Sequence, residues 1–286
     1  MLGAECCANP PAMNSGFGKG SVEEIGGLKS YITGDRTSNR AILLASDAFG
    51  YEGVMLRKIA DKISGLGYLV LVPDFFFGDC IYSTSPPEVR ANWLNNHSPE
   101  KGCENARKII GELKSKGVCS VGAAGFCWGG MVSIYIYLCV CICIYIDRDC
   151  NFLAPKAIYT QEFGCTFYSE SFLSFAGMMV VKLAKYNDIK AAVILHPGRL
   201  TDNDVKEVKV PTAILGGELD QLCPQEEVKR YGKILSENQD VESFVKIFKG
   251  VGHGWASRYS EDDESAARSA EEAHTDMLNW LTKYVT

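Results

Sequence analysis

From Ala41 onward, short apolar runs alternate with stretches whose apolar residues recur every three or four positions. The runs are Ala41–Ser46, Tyr68–Val72, Val121–Phe126, Ala191–Leu195, Thr212–Leu215 and Phe244–Phe248. Each has the length of a strand, the first five with the apolar character of one buried on both faces and the last broken only by Lys246, and Pro73 stops the second. Between them, Leu56, Ile59 and Ile63 fall on one helical face, as do Ala106, Ile109, Ile110 and Leu113. A closing helix carries Ala266, Ala270, Ala273, Met277, Trp280, Leu281 and Tyr284 on one stripe. Strands alternating with helices predict a single α/β domain over residues 1–286, with a mostly parallel sheet and helices on both faces. Residues 1–20, rich in Gly, Pro, Asn and Ser, read as an irregular lead-in. In sheets of this kind ligands bind beyond the carboxyl ends of the strands, so chemistry is sought just after each run.

One stretch breaks the rhythm. Between Trp128 and Lys182 the chain fits no strand–helix unit. Within it Met131–Ile146 is uncharged and rich in Ile, Tyr, Val and Cys. That content suits a strand or an aggregation-prone segment. It falls short of the ~20 apolar residues of a membrane span, so no membrane association is expected.

Composition adds boundaries. A chain of 286 residues with 47% apolar and 22% charged residues buries a sizeable core without disulfides or metal. A net charge of −6 argues against nucleic acid as a partner, because phosphates call for a basic face. The twelve cysteines include no C-x-x-C pair with matching downstream ligands, so no zinc site is expected. Met1–Asn14 lacks a basic end followed by an apolar run, which points to the cytoplasm and reduced thiols.

The third run ends in Gly125-Phe126-Cys127-Trp128-Gly129, a G-x-C-x-G turn with Cys where a nucleophile-elbow serine commonly sits. Glycines two positions either side let the chain turn from strand to helix without colliding with the exposed sulfur. The turn also sets a backbone N–H and a helix N-terminus where negative charge develops. The fifth run leads to Asp220, and the sixth to His253 between Gly252 and Gly254. Nucleophile, acid, base is the chain order of α/β-hydrolases. Of the other histidines, His97 lies in a polar loop and His274 in the last helix beside glutamates, whereas His196 follows the fourth run and is placed at the pocket wall, behind the residues that carry the chemistry. Phe75, Phe76, Trp128 and Trp255 are candidates either for an aromatic pocket or for the core.

Several of these motifs together resemble the dienelactone hydrolase family, most closely its plant-type members. They are Cys6-Cys-Ala-Asn-Pro-Pro11, Ser46-Asp-Ala-Phe-Gly50, Val72-Pro-Asp-Phe-Phe76, Gly125-Phe-Cys-Trp-Gly-Gly130, Leu195-His-Pro197 and Gly252-His-Gly254. The resemblance implies an α/β-hydrolase fold and a Cys127, Asp220, His253 set acting on a small-molecule ester or lactone. No metal or organic cofactor is implied, and the expected state is a monomer or weak homodimer. Oxyanion donors map to the N–H groups of Trp128 and Ala48. The family's acidic neighbour of the resting thiol maps to Asp47, one methylene shorter than the Glu of bacterial members. A substrate-binding arginine maps to Arg258, one residue out of register. Some plant-type relatives are labelled glucan endohydrolases, but glycoside cleavage usually takes two carboxylates flanking the bond, whereas a Cys–His pair suits acyl transfer.

The same resemblance isolates residues 131–177 as an insertion. Gly130-Met131-Val132 and Gly177-Met178-Met179-Val180 repeat one another at its edges. Removing 131–177 restores a turn running straight into its helix. Codons compatible with splice junctions at both glycines make a retained intron the expected origin, and a catalytically impaired product an alternative to an active enzyme.

Overall fold

The computed structural model describes residues 9–82, 84–127, 176–198 and 200–286. In chain order its elements are β1 (Ser21–Ile25), β2 (Leu28–Gly34), β3 (Arg40–Ala45), α1 (Val54–Ser64), β4 (Leu69–Pro73), α2 (Pro87–Asn96), α3 (Pro99–Ser115) and β5 (Ser120–Phe126). Then come α4 (Ala176–Ala184), β6 (Ala191–Leu195), α5 (Asp202–Lys206), β7 (Thr212–Gly217), α6 (Gln225–Glu237), β8 (Ser243–Phe248) and α7 (Glu264–Tyr284). All six apolar runs are strands. They join an eight-stranded sheet in the order β1-β2-β4-β3-β5-β6-β7-β8. From β4 to β8 neighbours are parallel, and β2 pairs antiparallel with both β1 and β4.

Alternation along each strand divides the core in two. Leu69 and Leu71 of β4, with Ala192 and Ile194 of β6, pack on the face covered by α3, α4 and α6. Val70 and Val72, with Ala191, Val193 and Leu195, pack on the opposite face against α1 and α7. This two-sided burial is why the strands read as continuous apolar runs. Fully burying one such aliphatic side chain contributes roughly 1.5–3 kcal/mol. Local signals set the helix ends: Ser98 caps α3 by accepting from Lys101 N–H, and Asp263 caps α7 by accepting from Ser265 and Ala266 N–H.

The structure adds elements beyond the alternating pattern. The β1–β2 hairpin turns at Gly26-Gly27, and α2, α5 and α6 fill the connections. His97 is not in an open loop: it ends α2 and packs against Trp93 and Phe76. Phe75, Phe76 and Trp255 are buried, and Phe76 stands edge-on to Trp93 while Trp255 tilts onto Phe248. The core reading therefore holds for these three. Trp128 and residues 131–175 of the insertion lie outside the described residues. Helix α4 begins at Ala176, inside the inserted stretch as drawn from sequence, and packs on β5, β6 and α3. Among the described residues, no helix is long and apolar enough to cross a membrane.

Candidate active site

Four strands deliver side chains to one point above the sheet. Cys127 directly follows β5, the central and wholly buried strand. Its N–H donates to Leu195 O at 3.1 Å, extending the β5–β6 ladder by one bond. The chain then turns sharply, with Cys127 in the left-handed region at φ 56°. Such backbone strain in a non-glycine residue is found where surrounding structure holds it in place.

The loops after β7 and β8 are laced together before they reach the site. Glu218 N–H donates to Phe248 O at 2.9 Å, and Leu219 N–H to Val251 O at 3.0 Å. Glu218 Oε2 accepts from Gly250 N–H at 2.9 Å. The loops approach so closely that a Cβ on Gly217 would lie 2.6 Å from Val251 O. This lacing fixes Asp220 against His253, with Asp220 Oδ2 2.8 Å from His253 Nδ1. The second carboxylate oxygen, Oδ1, accepts from Leu222 N–H at 2.9 Å and Cys223 N–H at 3.1 Å. Because an ionised carboxylate only accepts, it holds the proton on Nδ1 and leaves Nε2 to face the thiol. His253 Nε2 lies 2.6 Å from Cys127 Sγ. The side chains of His253 and Asp220 are 2% and 1% exposed, so water barely screens the three groups.

The loop after β3 closes the other side. Asp47 Oδ1 accepts from Phe49 N–H at 3.0 Å, and Oδ2 lies 3.5 Å from Arg258 Nε. Burial pushes the Asp47 carboxyl above the usual range, opposed by the Arg258 guanidinium and the Phe49 N–H. Arg258 Nη2 donates to Cys127 Sγ at 3.7 Å, and the guanidinium lies over the Phe49 ring. Its side chain is wholly buried. Gly254 makes room for it: in the left-handed region at φ 83°, a Cβ there would sit 2.2 Å from the guanidinium. Ala48 is buried on the β3 loop, with its carbonyl accepting from Ile81 N–H at 2.9 Å.

The structure thus brings Cys127, His253, Asp220, Arg258 and Asp47 together, with Ala48 next in the chain to Asp47, while Trp128 lies outside the described residues. Sequence reasoning left the contact between Arg258 and the sulfur unseen, because a shift of one position in register says nothing about where a long side chain folds back. It placed His196 behind the catalytic residues, and there the ring meets that of His253. The signal in the sequence was its place directly after an apolar run, as for Cys127, and in the structure Phe126 pairs with Leu195, which sets Cys127 beside His196.

A mostly parallel sheet, helices on both faces and a Cys, His and Asp on the loops after β5, β8 and β7 define an α/β-hydrolase. The sequence pattern of the dienelactone hydrolase family matches residues 28–139 and 174–285. The chain belongs to that family and is a dienelactone hydrolase-like hydrolase. A relative from Zea mays named endo-1,3;1,4-beta-D-glucanase is 33% identical over 244 residues, 83% of this chain and 64% of that one. The chain therefore spans less than two thirds of the maize relative's length. The carboxymethylenebutenolidase homolog of Homo sapiens is 26% identical over 274 residues, covering 94% of this chain and 92% of its own. The solved structure of a dienelactone hydrolase-like promiscuous phosphotriesterase from metagenomic libraries shares the fold at a TM-score of 0.59 and 14% identity, covering 93% of this chain and 97% of that one.

Proposed function

We propose that this hydrolase cleaves small carboxylic esters or lactones through a thioester on Cys127. The carrying observation is the buried relay from Cys127 Sγ to His253 Nε2 and from His253 Nδ1 to Asp220 Oδ2, at 2.6 and 2.8 Å. His253 takes the thiol proton and the sulfur attacks the acyl carbon. Backbone N–H groups of Trp128 and Ala48 stabilise the oxyanion. Collapse expels the alcohol oxygen, which takes the proton from His253 and leaves the acyl group on sulfur. A water then gives a proton to His253 and adds to the thioester, and the departing thiolate recovers that proton. Asp220 holds the ring and stabilises its charged form. Arg258 favours the thiolate as a cation beside sulfur. In the resting state it faces Asp47 and Cys127 rather than open solvent, so contact with a substrate carboxylate requires the substrate to enter between them.

Cleavage of a glucan, as in the maize relative's name, fits this centre less well. The two carboxylates here are engaged, Asp220 by His253 and two N–H groups and Asp47 by Arg258 and Phe49. Incubation with p-nitrophenyl acetate tests the proposal. The native chain is expected to release nitrophenol, with Cys127→Ser and His253→Ala far slower, and equal rates in all three end it. Release of reducing sugar from a mixed-linkage glucan, indifferent to Cys127 substitution, favours the other reading.

Residues 131–177 also enter this proposal. The family pattern resumes at residue 174 after leaving off at 139, and α4 lies on β5 and β6, the place a helix following Cys127 takes in an α/β-hydrolase. We infer that the segment interrupts a helix that otherwise starts at the nucleophile turn. Transcript sequencing tests its origin as a retained intron, for which a product lacking codons 131–177 is expected.

A further inference from the structure

His196 is a buried polar side chain that the proposed relay does not use. It follows β6 as Cys127 follows β5, its N–H donates to Leu215 O at 2.8 Å, and it too adopts the left-handed region, at φ 36°. Neither ring nitrogen meets a hydrogen-bond partner among the described residues. Leaving a buried polar group unpaired is unfavourable, so a leucine of similar bulk would serve better if the position only filled space. What the ring does touch is aromatic. It lies 6.0 Å from the Phe126 ring and 5.3 Å from the His253 ring, crossing the latter at 78°.

We propose that His196 is a positioning residue for His253, and that its uncharged aromatic ring steadies the imidazolium formed when His253 takes the Cys127 proton. A cation within about 6 Å of an aromatic ring is attracted to its face, more so where water is excluded. The contact is useful only while His196 itself is neutral, since a second cation there would oppose the first. The surroundings enforce neutrality: burial holds His196 well below its ordinary value, and the positive fields of His253, Arg258 and His274 act in the same direction. The carboxylates in this region are committed elsewhere, Asp220 to His253 Nδ1 and Asp47 to Arg258. The inference rests on His253 being the base for Cys127.

The test reads the thiol rather than turnover. The rate of Cys127 alkylation by iodoacetamide is followed against pH, with the site confirmed by peptide mass spectrometry, in the native chain, His196→Leu and His196→Phe. Leucine removes the aromatic face, and the midpoint of thiolate formation is expected to rise by roughly half a pH unit or more. Phenylalanine restores a neutral ring and is expected to stay close to the native midpoint. A leucine variant with the native midpoint overturns the proposal, as does a phenylalanine variant shifted as far as leucine, which would assign the effect to the ring nitrogens. A second measurement needs no substitution: nitrogen-15 histidine spectra of the native chain are expected to show His196 neutral across the range in which Cys127 ionises. Uptake of a proton by His196 before His253 overturns it. Equal hydrolysis of p-nitrophenyl acetate by the native chain, Cys127→Ser and His253→Ala instead removes the nucleophile reading beneath it, so the two failures are separable.

Discussion

Arg258 and Cys127 are in contact through Nη2 and Sγ at 3.7 Å, inside a wall where the arginine side chain meets no solvent. The same guanidinium faces Asp47. One buried cation therefore serves a carboxylate on the β3 loop and the sulfur at the end of β5. Replacing it affects both. Arg258→Met leaves Asp47 buried without its cation, and a loss of about 3–5 kcal/mol is expected in urea denaturation. The double variant Arg258→Met, Asp47→Asn is expected to recover part of that stability, while alkylation of Cys127 moves to higher pH because the thiolate has lost its neighbouring charge.

Gly254 is tied to the same arginine. A side chain there meets the guanidinium at 2.2 Å on a backbone at φ 83°. Gly254→Ala is expected to lower stability by roughly 1–3 kcal/mol through strain and crowding. It is also expected to slow ester cleavage by displacing Arg258 from the sulfur. Denaturation and p-nitrophenyl acetate kinetics on one preparation check both effects, and native values in both would contradict the packing described.

Acid should weaken this fold through its buried histidines. Burial holds His196 and His274 below their ordinary value of 6.5, opposed at His274 chiefly by its bond to the Ala256 carbonyl. As pH falls through about 6.5 the unfolded chain takes up protons that the folded chain refuses. The unfolded state then binds more protons, so their contribution is complete above that value and is lost below it. The slope is up to ~1.4 kcal/mol per pH unit for each histidine. Urea denaturation between about pH 7.5 and pH 5 is expected to show this fall, with a shallower slope in His196→Phe.

Joining Gly130 directly to Met178 removes residues 131–177. Ester cleavage at least equal to that of the full chain, with an unchanged or higher melting temperature, is expected if α4 serves as the helix of the nucleophile turn. An insoluble deletion variant beside an active full chain would show that the segment belongs to the working fold.

Strands β3 to β7 were legible because each is buried on both faces and so carries a nearly unbroken apolar signal, and the edge strand β8 because apolar residues flank Lys246. The β1–β2 hairpin was not, since the first four residues of β1, Ser21-Val-Glu-Glu, are all exposed and leave no buried face to read. Its one signal was Gly26-Gly27, a two-residue turn pair. Helix α2 carries no apolar stripe, whereas α6 does, in Val228, Tyr231, Ile234 and Leu235, and was readable. At the site, Cys127, Asp220 and His253 were legible because each follows a strand. The contacts of Arg258 and His196 depend on side-chain direction and strand register, which no local pattern records.

The thioester itself is the decisive species. Acid-quenched samples taken during turnover of p-nitrophenyl acetate, digested and analysed by mass spectrometry, are expected to carry an acetyl group on the peptide containing Cys127. Cys127→Ala should carry none and hydrolyse no faster than background. Native turnover with the acetyl group on another residue, or undiminished hydrolysis in Cys127→Ala, would contradict the assignment of Cys127 as nucleophile.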